Sequence, residues 1–215
     1  MENFFTRDTD SRAGFPSFPI VQHNCLGSWD VFLSLFHGFT MLPHPPLLVA
    51  IQDPPSRCST LPTFPGFISF APPPPGRPRV AIYVSHALNQ HLSCSTLFYD
   101  SLEMLSVDVF SLECLFGSPH HSLIVTSLYL LRTNRPRYRS IMPEHFFSFL
   151  SYPHLVLGDF NLHHPSADPC RSLSERELTI STGYFDAAFD IPYHLLNTPG
   201  VYTRFPFDSK SPPSV

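Results

Sequence analysis

The sequence predicts a mixed α+β domain, with two β-sheets covered by helices. Two observations carry this expectation. About seven or eight short, β-prone runs are spread along the chain beside three helical stretches. The helices do not follow every strand, which argues against a doubly wound parallel sheet. No segment repeats. Composition agrees with a packed domain: of 215 residues, 43% are hydrophobic and 14% aromatic, with 21 phenylalanines, which excludes a solvated disordered chain. Proline (25) and glycine (9) together stay below the roughly 25% at which low-complexity disorder becomes the better reading. Charged residues are 14%, against about 25% in an ordinary domain, so the surface is unusually apolar or the chain is a piece of something larger.

Residues 1–17 are polar and irregular and read as a disordered lead-in; one domain is expected over 18–215. Phe18 to Asn24 is apolar and β-branched enough for a strand. Ser28 then stands where an N-cap belongs, ahead of an apolar helix from Trp29 to about Phe39. Pro43, Pro45 and Pro46 stop that helix, and Leu47 to Gln52 follows as a buried strand ended by Pro54 and Pro55. Phe67 to Phe70 and Arg79 to Ser85 form a strand pair around the stiff spacer Pro72 to Pro75, whose four prolines supply no ladder donors. Leu102 to Phe110 alternates apolar and polar residues, and Leu123 to Leu131 is strongly β-prone. Pro143 opens a helix to about Leu150. His154 to Leu157 is a short buried strand, Ser174 to Asp190 a helix interrupted by Gly183, and Val201 to Phe205 a last strand before a turn-like end.

The formal net charge of −4 advertises no bulk affinity for nucleic acid. Twelve of the 13 basic residues are nevertheless arginine, Lys210 being the exception. Arg132, Arg135, Arg137 and Arg139 lie close together, and guanidinium forks suit phosphates as readily as they suit a solvated loop. The cysteines Cys25, Cys58, Cys94, Cys114 and Cys170 are odd in number and lack C-x-x-C spacing. They read as reduced thiols, without a zinc site or a disulfide frame. Charges in the first residues leave no signal-peptide core, and no apolar run approaches the ~18 residues of a membrane span. An intracellular chain, neither secreted nor membrane-bound, is expected.

Chemistry concentrates at strand ends. Leu155-Val156-Leu157-Gly158-Asp159-Phe160-Asn161-Leu162-His163-His164-Pro165 delivers Asp159, Asn161 and His163 at alternating positions, which share a face of an extended chain. A carboxylate, an amide and an imidazole brought together can serve a hard cation or a phosphate. The same residues can also do no more than satisfy turn backbone. Ile51-Gln52-Asp53-Pro54 and Gln22-His23-Asn24 end two other strands in the same way. Together the three ends would make an oxygen-rich site of the kind that holds Mg2+ or Mn2+.

The order Q-H-N-C, I-Q-D-P, R-P-R-V-A-I-Y and L-G-D-F-N-L-H-H-P resembles the endonuclease/exonuclease/phosphatase superfamily. Within it, the chain looks like the apurinic-type endonuclease domain of fungal non-LTR (LINE-type) retrotransposons, over roughly residues 18–208. The resemblance implies a four-layer αββα sandwich of two mixed sheets between helices. It also implies metal-dependent phosphodiester hydrolysis with Mg2+ or Mn2+, DNA as substrate, attachment to a reverse transcriptase, and a nuclear site of action. By motif, Asn24 and Asp53 would belong to the metal site. Asp159 would activate or orient the attacking water, and Asn161 would orient the phosphate and the aspartate. Tyr129 matches a tyrosine at the scissile phosphate, Thr203 matches a late-strand threonine, and His163 belongs to the retrotransposon version of its block. The arginines 132, 135, 137 and 139 would border that face and meet DNA phosphates.

Three departures qualify what is implied. Asp53 stands where the family has glutamate, which withdraws the carboxylate by one C–C bond, ~1.5 Å. Magnesium asks for oxygens at ~2.0–2.1 Å in near-octahedral array, so the shorter Asp53 would need a bridging water or a backbone adjustment to serve it. Ala167 replaces a tryptophan. The family continues past the equivalent of Val215 into an Ile-Asp-Leu strand and a Ser-Asp-His motif. His194, in Pro-Tyr-His-Leu-Leu-Asn, reads as structural and not as its substitute. The expectation is therefore a weakly active or inactive form. The competing readings are a catalytically inactive remnant or degenerate nucleic-acid-binding module, and, more distantly, a phosphatase of the same fold.

Overall fold

The computed structural model describes residues 19–55, 60–72, 77–88, 96–98, 104–109, 123–129, 154–160, 163–165 and 172–190. The lead-in, most of the proline spacer, the expected helix at 143–150 and the expected strand at 201–205 lie outside them. So do Asn161, Arg132, Arg135, Arg137, Arg139, Ala167, His194, Thr203 and every cysteine except Cys25.

Eight strands and two α-helices make up the described residues. The first sheet contains β1 (Ile20–Asn24), β2 (Leu48–Gln52), β3 (Phe67–Phe70) and β4 (Val80–Ser85), in the order β1-β2-β4-β3. The second contains β5 (Thr96–Phe98), β6 (Met104–Val109), β7 (Leu123–Tyr129) and β8 (His154–Asp159), in sequential order. Each sheet is mixed: β1 runs parallel to β2 and β7 parallel to β8, while the other neighbours are antiparallel. The two parallel pairs meet across the interface, β1 against β8 and β2 against both β7 and β8.

Alternation along the strands sorts residues into two cores. Leu48, Val80, Ile82 and Val84 pack with Val125 of the second sheet, flanked by Ile20, Leu123, Tyr129 and Leu157; this is the layer between the sheets. Their neighbours Val49, Ile51, Ala81 and Tyr83 face the other way, onto α1 (Trp29–Thr40). That helix contributes Phe32, Phe36 and Phe39, spaced to fall on one side. Phe36 lies 5.0 Å from Tyr83 and 4.6 Å from Phe64, ring centre to ring centre. The buried Tyr83 hydroxyl donates to the Pro62 carbonyl at 2.8 Å, so its polar end carries no desolvation debt. Because β2 and β4 are covered on both faces, they read as unbroken apolar runs.

Local signals place the helix starts. Ser28 caps α1 by accepting the Val31 N–H at 3.3 Å. A second helix, α2 (Glu175–Asp190), opens on a reciprocal capping box. Glu177 Oε2 accepts the Ser174 N–H at 3.0 Å while Ser174 Oγ accepts the Glu177 N–H at 3.3 Å. Neither described helix is long and apolar enough to cross a membrane.

Two expectations are corrected. Gly183 does not interrupt α2, which runs unbroken through it. It is exposed with open space around it, and one glycine costs a capped helix only about 1 kcal/mol relative to alanine. The strand begun at His154 extends to Asp159, two residues beyond the expected Leu157, because Gly158 and Asp159 stay in register with Leu128 and Tyr129. The short strand β5 and the 3₁₀ turn His86–Leu88 were not anticipated; three residues are too few to display a period.

Candidate functional site

The alternation that packs Ile20 and Leu157 between the sheets carries Asn24 and Asp159 to the same layer, each as the last residue of its strand. Their side chains meet. Asn24 Nδ2 donates to Asp159 Oδ2 at 2.7 Å, joining residues 135 apart in sequence and linking one sheet to the other. Asn24 Oδ1 in turn accepts the Leu26 N–H at 3.0 Å, which fixes the amide's orientation and ties the β1–α1 turn to the site. Leu26 pays for that tie with a left-handed backbone (φ 52°) and an exposed side chain.

Beside this pair a polar chain runs from the exposed Gln22 into the core. Gln22 Nε2 donates to Gln52 Oε1 at 2.5 Å, and Gln52 Nε2 donates to Ser127 Oγ at 2.9 Å. Gln52 and Ser127 are fully buried, so both sheets are pinned by hydrogen bonds as well as by apolar contact. Gly158 sets the spacing at the end of β8. A Cβ there would run into the Leu128 carbonyl oxygen, so glycine is required for the strands to approach. Tyr129 then stands beside Asp159 in the parallel register of β7 and β8.

Asp53 follows Gln52 but leaves the strand, with φ at 46°. Its backbone is clamped on both sides: its N–H donates to the Arg79 carbonyl at 2.6 Å, and its carbonyl accepts the Gly27 N–H at 2.7 Å. The carboxylate meets two guanidinium groups, with Oδ1 at 3.2 Å from Arg77 Nη2 and 3.5 Å from Arg79 Nε. The Arg79 contact is an ion pair without hydrogen-bond geometry, and its buried Nε finds no hydrogen-bond partner among the described residues. The Arg79 guanidinium also lies over the Tyr129 ring, 4.6 Å from its centre.

Ordinary values shift where burial is greatest. The Cys25 thiol is pushed up to about 12 by burial and, next, by the Asp53 carboxylate. Burial raises the Tyr83 phenol, with Cys25 adding to it, and burial lowers His23. Cys25 is a buried thiol.

Of the residues singled out in the sequence, Asn24 and Asp159 touch, Tyr129 stands next to Asp159, and Asp53 reaches the group through Arg79. His163 is half-buried just past β8, and its neighbour His164 stacks on Phe185 of α2 at 4.3 Å. Asn161 and the four clustered arginines lie outside the described residues. Sequence reasoning missed Ser127, and it named Gln52, Arg77 and Arg79 only within motifs or strand bounds, without giving them a role in the site. The signal was there: two arginines stand just before a buried strand, and polar residues occupy positions whose parity points between the sheets.

The divalent ion implied by the resemblance finds only part of a donor set. Asp159 offers a carboxylate, but Asp53 is already held by two cations and Asn24 Oδ1 by a backbone N–H. Among the described residues no three His, Cys, Asp or Glu side chains group at metal-binding spacing. These donors alone do not make a cation site.

Neither a family model nor a curated protein matches the chain. Among solved structures, it is similar to the endonuclease domain of TRAS1, a telomere-specific non-LTR retrotransposon, with a TM-score of 0.59 at 14% identity. The superposition covers 91% of this chain and 81% of that one. The chain therefore shares the α/β fold of that domain, two mixed sheets with helices, and brings its own polar residues to the rim where the parallel strand pairs end.

Proposed function

We propose that this chain is a DNA-nicking endonuclease domain of the non-LTR retrotransposon kind, hydrolysing a phosphodiester bond at the rim formed by Asn24, Tyr129 and Asp159. The observation that carries the reading is the 2.7 Å bond from Asn24 to Asp159, which fixes the direction of the carboxylate at the end of its strand. A carboxylate so held serves as the base or orienter of an attacking water. Arg79, stacked on Tyr129, supplies positive charge where a phosphate oxyanion needs it. The fold shared with a retrotransposon endonuclease domain supports DNA as the substrate; a reverse transcriptase as the larger context comes from the sequence resemblance alone. Mg2+ or Mn2+ belongs to the proposal through the sequence resemblance. The described donors do not complete a site for it.

A second reading, a nucleic-acid-binding module without catalysis, is favoured by one observation: Asp53 is neutralised by Arg77 and Arg79. Incubating the chain with supercoiled plasmid in Mg2+, Mn2+ or EDTA separates the two. The endonuclease reading expects open circles with either metal, none with EDTA, and none from Asp159→Ala. Plasmid retardation without nicking would establish the second reading in its place.

A further inference from the structure

We propose that Asp53 serves an arginine and not a metal: it positions the Arg79 guanidinium as the phosphate-binding group of this site. The inference rests on the endonuclease reading and assigns it a residue. The resemblance places Asp53 among the metal ligands, but the structure gives its carboxylate other work.

Backbone comes first. Asp53 is one of two non-glycine residues with positive φ among those described, and the conformation is locked by its own N–H and carbonyl. The Asp53 N–H bonds to the carbonyl of Arg79 itself, so the same residue is gripped at its main chain and its side chain. Arg77 closes the arrangement from outside, bonding Asp53 Oδ1 and the Pro54 carbonyl at 3.3 Å. It lies so close over Gly27 that a side chain there would strike it. One carboxylate facing two guanidinium groups leaves a local excess of one positive charge. A divalent cation added at the same oxygen would be repelled by both arginines.

What this positive group faces is the second point. Arg79 crosses from the first sheet to the second, where its guanidinium lies on Tyr129. Tyr129 is the register partner of Asp159. A guanidinium set over an aromatic ring on one face and ion-paired through Nε at one edge is held in orientation. A nucleic-acid phosphate supplies acceptors in the geometry that an arginine fork matches. Asp53 is then a positioning residue and Arg79 the one that touches substrate.

The test uses the whole chain, a fluorescent DNA duplex and Mn2+ alone as the metal probe. Duplex affinity is measured in EDTA over a range of salt for wild type, Arg79→Ala, Arg79→Lys and Asp53→Asn. Thermal unfolding establishes that each variant is folded. Arg79→Ala is expected to weaken binding and flatten the slope of log affinity against log salt by about 1, as for one phosphate contact. Arg79→Lys keeps the slope but not the full affinity. Asp53→Asn removes a negative charge, which would tighten DNA binding if charge alone mattered; it is expected to weaken binding because Arg79 is released. Free Mn2+ measured by electron paramagnetic resonance is expected to be the same for wild type and Asp53→Asn. Loss of Mn2+ binding on Asp53→Asn would overturn the proposal, and so would an unchanged salt slope in Arg79→Ala while wild type binds and nicks DNA. Absence of DNA binding by wild type at low salt would instead remove the endonuclease reading, and this assignment with it.

Discussion

Asn24 and Asp159 end their strands within 2.7 Å of each other, and that bond is where two sheets, two parallel strand pairs and two polar motifs converge. It does two jobs. It closes the rim of the inter-sheet core, and it sets the direction of the carboxylate proposed to act on the attacking water. Replacing Asn24 by leucine keeps the volume roughly constant but removes a donor to a charged acceptor. A hydrogen bond of that kind contributes about 1.5–3 kcal/mol when shielded from water, so this half-buried one should cost Asn24→Leu about 1–2 kcal/mol in urea unfolding. An unchanged midpoint would mean that the pair does not hold the sheets.

Gly158 and Gly183 should behave in opposite ways. Gly158→Ala drives a methyl into the Leu128 carbonyl, which is backbone and cannot swing aside, and is expected to lose about 1–3 kcal/mol. Gly183→Ala in the exposed part of α2 meets nothing and should gain about 0.5–1 kcal/mol. Equal effects from the two would contradict the close approach of β7 and β8.

Ser127→Ala takes the acceptor from the buried Gln52 amide at the centre of the inter-sheet layer. Leaving that donor short inside the core should cost about 1–3 kcal/mol. A double-mutant cycle with Gln52→Leu reads the coupling, which should be clearly non-zero because the two side chains share one hydrogen bond.

Alkaline pH should expose the buried thiol. Cys25 ionises near 9 when unfolded and is held up to about 12 when folded, so above pH 9 the unfolded chain loses its proton first. Stability should therefore fall from pH 9 upward until the folded thiol ionises as well. Tyr83, raised by burial, contributes in the same direction. Urea unfolding between pH 8 and pH 10.5 should show a shallower decline for Cys25→Ala than for wild type. Parallel curves would mean that the thiol is not protected.

Much of the fold was legible because its signals are local. Ser28 announced α1 by capping chemistry, and Leu48–Gln52 and Val80–Ser85 announced buried strands by unbroken apolar runs. Phe67–Phe70 and Arg79–Ser85 read as a strand pair, and β3 and β4 are one. The site was legible only in part. Asn24 and Asp159 could be placed at strand ends, but that they touch depends on the parity of two strands in different sheets. The path of Asp53 could not be read at all. A left-handed φ one residue past a strand, and two arginines from another segment folding over it, leave no periodic trace. Gly183 misled because a breaker in sequence is a small cost in a helix held by a capping box.

The rim is tested by the single-turnover cleavage rate of a DNA duplex by wild type and by Asp159→Asn, measured in Mn2+ with enzyme in excess. The substitution keeps the shape and removes the charge that Asn24 aims. If the rim carries the reaction, the rate should fall by about 10²–10³ while duplex affinity changes little, as when one preorganised catalytic group is lost. A cleavage rate within a few-fold of wild type would place the chemistry elsewhere on the molecule and contradict the account.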